Sequence, residues 1–107
     1  MKNMKRIREQ RSRRRRSLKE YVFSDGFSEE DTTLLFFSTH QCVHVYADGV
    51  LIYAVEQNDT ILGKTPGGHL NFVTIPEGTE TLEVQLEAVY PQVRSLETKF
   101  YTGDAKV

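Results

Sequence analysis

Residues 40–53 read HQCVHVYADGVLIY. The Asp48-Gly49 pair divides this stretch into two apolar arms and predicts a two-residue hairpin turn, which needs positive φ at both central positions. Glycine adopts such a φ without a Cβ clash, and aspartate tolerates it better than most residues. On the first arm Val43 and Val45 share one face, with Cys42, His44 and Tyr46 on the other. On the second, Leu51, Tyr53 and Val55 alternate with Ile52 and Ala54. Both faces are largely apolar, which predicts a hairpin interior to a sheet, with Val43, Val45 and Leu51 as the ladder the rest of the chain covers.

Working outward toward the N-terminus, residues 32–39 (TTLLFFST) carry the β-branched and aromatic run of a strand buried on both faces. Residues 28–31 are a polar loop, and residues 21–27 form a short apolar piece broken by Asp25-Gly26. In the other direction, residues 56–68 make a long connection rich in turn formers, followed by a strand over 69–75 and a Pro76-Glu77-Gly78 turn. Residues 81–90 alternate cleanly. Leu82, Val84, Leu86 and Ala88 are expected to face inward, and Glu83, Gln85 and Glu87 to form an acidic outer row that discourages edge pairing. Pro91 ends that strand, and a last one is expected near residues 98–102. About six strands separated by turn signals, with no convincing helix, predict an all-β fold. The expected architecture is an antiparallel, jelly-roll-like β-sandwich over residues 21–107, and about six strands are few for one, which points to an incomplete example.

The 107 residues suit a single domain, and the 38% hydrophobic content supports a modest core. The net charge of −1 conceals a division. Residues 1–20 hold ten Lys/Arg against two Glu, or +8, while residues 21–107 hold four against thirteen Asp/Glu, or −9. The basic segment includes four consecutive arginines, Arg13, Arg14, Arg15 and Arg16, and charge repulsion predicts a disordered or partly helical tail. Those arginines are candidate anion-binding residues. No aromatic or glycine interleaving accompanies them, so nucleic acid is not the favoured partner.

A single cysteine, Cys42, rules out an intramolecular disulfide, and three scattered histidines offer no metal-ligand spacing. No apolar run reaches the roughly 18 residues of a membrane span, and the basic start is not followed by a signal-peptide core. As written, the chain is expected to stay in the cytoplasm. Gly63-Lys64-Thr65 has Asn58 where a phosphate-binding loop would place its first glycine, and Pro66 follows. No catalytic constellation is legible, so neither enzyme activity nor a cofactor is expected. Binding remains. His40, Gln41, Lys64, His69 and Asn71 are the polar residues expected to converge beside the hairpin ends, where loops on a rigid scaffold carry recognition.

The ordered motifs from about residue 33 to 104 add a family resemblance. Phe37-Ser38-Thr39-His40-Gln41, the hairpin from Val45 to Tyr53 and Gly63-Lys64-Thr65-Pro66-Gly67 come first. Asn71-Phe72-Val73, Ile75-Pro76, Leu86-Glu87 with Tyr90, and Phe100-Tyr101-Thr102-Gly103-Asp104 follow. This series resembles the extracytoplasmic galactose-binding-like sensor domain of bacterial membrane signalling proteins with diguanylate cyclase or histidine kinase outputs. The resemblance implies a non-enzymatic sensory or ligand-binding module, truncated from a larger membrane receptor. A small molecule, a glycan or a protein would be its partner, and self-association is a further expectation. A carbohydrate-binding module of a glycosidase-like protein, and nucleic-acid or anionic-surface binding through the arginine tail, are the alternatives. Gly68-His69-Leu70 stands where family members usually carry an aromatic, which removes one sugar-stacking surface.

Overall fold

The structure, a computed structural model, describes residues 4–24, 26–56, 68–88 and 97–104. Nine strands lie among them: β1 (Lys5–Ile7), β2 (Arg11–Arg15), β3 (Leu18–Phe23), β4 (Thr33–Thr39), β5 (Gln41–Ala47), β6 (Val50–Val55), β7 (Gly68–Thr74), β8 (Leu82–Ala88) and β9 (Phe100–Gly103). They form two antiparallel sheets, ordered β1-β9-β4-β7 and β2-β3-β8-β5-β6. The all-β sandwich is therefore present, and its pairings are nested. β5 pairs with β6, β4 with β7, β3 with β8 and β1 with β9. A long hairpin rolled over itself in this way is a jelly roll. Its tip is the Asp48-Gly49 turn, where both residues take positive φ, 48° and 85°.

The core is the space between the two sheets. Val43 and Val45 of β5, Leu82, Val84 and Leu86 of β8, and Leu34 and Phe36 of β4 are essentially inaccessible to water. Phe100 sits at the centre of an aromatic cluster that ties one sheet to the other. Its ring centroid lies 5.0 Å from Tyr21 and from Phe23, and 5.2 Å from Phe36. Such tilted and edge-on contacts contribute about 0.5–1.5 kcal/mol per pair beyond simple burial.

Several sequence expectations are corrected. The basic segment is not a disordered or helical tail: residues 5–7, 11–15 and 18–23 are strands, raising the count from about six to nine. β2 pairs with β3 in a tight hairpin from Arg11↔Val22 to Arg15↔Leu18, and β1 pairs with the distant β9, so cross-strand hydrogen bonding offsets the charge repulsion. Only β5 of the central hairpin is interior, since β6 closes its sheet. The register shifts between Val45↔Tyr53 and Tyr46↔Leu51, leaving Ile52 as the extra residue of a β-bulge. That bulge reverses the alternation. Tyr53, Val55 and Ile52 pack against the core while Leu51, expected in the buried ladder, is half exposed. β4 is buried on one face only, and β8 is central rather than an edge, so its acidic row cannot be protecting an edge.

Candidate functional site

The polar residues expected to form a site are held by different duties. The chain crosses from one sheet to the other at His40, which takes a left-handed φ of 51°. Gln41 is buried, and its Oε1 accepts the Thr39 N–H at 3.2 Å, bracing that crossing. Asn71 is completely buried. Its Nδ2 donates to Ser38 Oγ at 3.0 Å, to the Phe36 carbonyl at 3.2 Å and to the His69 carbonyl at 3.4 Å. Its Oδ1 accepts the Tyr53 hydroxyl at 2.7 Å, joining β6 of one sheet to β7 of the other. Burial raises the pKa of that hydroxyl, which stays a neutral donor. His69 is exposed, with Nε2 3.3 Å from Tyr53 Oη, and Lys64 lies outside the described residues. The structure thus brings His69, Tyr53 and Asn71 together at one side of the sandwich. Asn71 and Gln41 spend their polar atoms inside the fold, as buried polar groups generally do.

The arginines form an ordered edge. Arg11, Arg13 and Arg15 point to the outer face of β2, because their partners Val22, Glu20 and Leu18 lie on the outer face of β3. Arg16 forms the turn into β3 with φ 55°. Arg13 stands opposite Glu20, and a shallow groove of about 420 Å³ runs between Arg11, Arg13, Glu20 and Glu83. None of the ion pairs recorded among the described residues involves Arg11, Arg13, Arg15 or Arg16, and all four are exposed. Charged side chains along a sheet edge obstruct the approach of another strand, and that duty needs no bound anion.

A third surface was not singled out in the sequence. The outer face of the four-stranded sheet carries one row formed by Arg6, Tyr101, Leu35 and Phe72, each paired with the next across the strands. Beside it, Phe37 pairs with Leu70. Phe37, Leu70 and Phe72 are 53%, 47% and 46% exposed. A groove of about 400 Å³ opens here, lined by Leu35, Phe37, Thr39, Leu70, Lys99 and Tyr101. The available signal was the period-2 pattern of residues 34–37. An unbroken Leu-Leu-Phe-Phe run does not say which member faces out, whereas exposed apolar residues gathered on one rigid face do mark contact surfaces.

Among the described residues, no group of three or more His, Cys, Asp or Glu side chains could hold a metal ion, and no helix is long and apolar enough to cross a membrane. The comparisons add no relative. No family model, curated protein or solved structure matches the chain. Its functional reading therefore rests on its own surfaces.

Proposed function

We propose that the chain is a non-enzymatic sensory or ligand-binding module of a bacterial signal-transduction protein, part of a larger membrane-anchored receptor whose sensor faces outside the cytoplasm. Its action is contact, and docking of a partner would bias an output domain elsewhere in the receptor. The observation supporting this reading is the apolar outer face formed by Leu35, Phe37, Leu70, Phe72 and Tyr101, built on paired strands instead of loops. A surface of this kind loses little conformational freedom on binding, and burying its half-exposed rings is favourable by about 25 cal/mol per Å².

The test is a ligand screen by NMR on isotope-labelled protein, covering amino acids, nucleotides, short glycans and peptides. Amide shifts clustered on β4, β7 and β9 support the proposal. Hits confined to the arginine edge, or turnover of any screened compound, would overturn it. The three aromatic rings on this face also favour a second reading, a carbohydrate-binding module, because flat apolar rings stack on sugar C–H faces. A blank glycan array together with peptide or metabolite hits would exclude it.

A further inference from the structure

Among the described residues four strands end the two sheets, and three carry a device against pairing with another chain. β1 is three residues long, with Lys5 and Arg6 exposed. β2 is RSRRR, exposed throughout. β6 is bent by the bulge at Ile52. The fourth, β7, has none of these. Its seven residues, Gly68-His69-Leu70-Asn71-Phe72-Val73-Thr74, include no Asp, Glu, Lys, Arg or Pro. They pair with β4 in unbroken register, and among the described residues no strand pairs with the other edge of β7. Long, regular, apolar edges are sites of strand addition. The apolar face also reaches this edge. The Phe37 ring lies over Gly68, where an added Cβ would stand 2.9 Å from Cζ.

We propose that β7 is the edge through which two copies of this chain pair antiparallel, joining their four-stranded sheets into one of eight strands. The inference rests on reading the outer face as a contact surface. Full overlap of β7 with its copy is centred on Asn71, so Leu70 lies opposite Phe72 of the second copy and His69 opposite its Val73. Every pair then matches in facing, because Leu70 and Phe72 are outer residues and Asn71 and Val73 inner ones. Both copies contribute the same strand, as a two-fold interface requires, and the two apolar faces become one continuous surface. Charge does not oppose a second copy in this arrangement. β7 itself carries no Lys, Arg, Asp or Glu, and the basic β1 strands move to the far ends of the joined sheet. Seven strand spacings separate them by about 34 Å, several screening lengths at physiological salt.

Sedimentation velocity across a concentration series tests this, alongside hydrogen exchange. The mass is expected to rise from one copy to two with concentration, while the amides of β7 gain protection and those of β1 do not. Leu70→Lys and Phe72→Lys, each checked for an unchanged circular dichroism spectrum, should raise the concentration needed at least about tenfold by giving β7 the guard its counterparts have. With Cys42→Ala throughout, a Leu70→Cys protein mixed with a Phe72→Cys protein should give a disulfide-linked pair that neither gives alone. A monomer at every concentration, a dimer indifferent to both lysines, or protection of β7 only by a strand from another protein would overturn the proposal. Ligand-induced shifts on the outer face of a protein that stays monomeric would remove the pairing alone and leave the binding reading intact.

Discussion

Asp48 does two things with one side chain. Its backbone forms half of the positive-φ turn at the tip of the roll. Its carboxylate accepts the N–H of Thr81 at 2.9 Å and of Glu80 at 3.2 Å, fixing the start of β8 beside the tip. Asp48→Ala loses both functions and should cost about 1–2 kcal/mol in denaturant unfolding, whereas Asp48→Asn, which tolerates the same φ and keeps an acceptor, should cost less. Asp31 is the second such residue. Burial alone would raise its pKa, but the Ser28 N–H and hydroxyl, the Thr102 hydroxyl and the Lys5 ammonium at 3.7 Å together hold it below the ordinary value. A depressed carboxylate stabilises the fold fully above its unfolded pKa of about 3.9 and loses that contribution as pH falls through the folded value. The melting temperature should therefore fall on acidification below about pH 4. In Asp31→Asn it should begin lower at neutral pH and show a shallower acid limb.

At the scale of the element, β2 shows how far charge can mislead. RSRRR reads as an unfoldable run because the residues repel one another. Its hydrogen bonds, however, go to β3, a strand whose inward Tyr21 and Phe23 are anchored by the aromatic cluster around Phe100. Replacing Arg11, Arg13 and Arg15 together by Gln should leave thermal stability within a few degrees, since each is exposed. It should also make the protein associate through β2, read as rising light scattering with concentration. The same contrast explains what was legible in the sequence. The Asp48-Gly49 turn, the buried Val43 and Val45, and the inward Leu82, Val84 and Leu86 follow from local pattern and lie where expected. The strand nature of β1 and the outward Phe37 are decided by partners distant in sequence, while the bulge at Ile52 and the β2–β3 hairpin depend on cross-strand pairing that composition alone does not reveal. Asn71 and Gln41 looked available for ligand because a sequence does not reveal which polar side chains the fold itself consumes.

At the scale of the whole molecule, the nested order sets both kinetics and mechanics. Every pairing except β5–β6 and β2–β3 joins segments well separated along the chain, a topology that folds slowly for its size. The outermost pair carries a mechanical consequence. Lys5 lies opposite Thr102, so residues 4 and 104 leave the sandwich from the same end of β1 and β9. Tension applied between them would peel that ladder one rung at a time, with the Lys5–Asp31 contact yielding early. Optical-tweezer extension should give a first release at lower force than pulling between residues 4 and 99, which loads the same ladder in shear. A domain stretched between two tethers would thus open from its basic first strand inward, and Phe100, opposite Ile7, would be the last rung of that ladder to register the load.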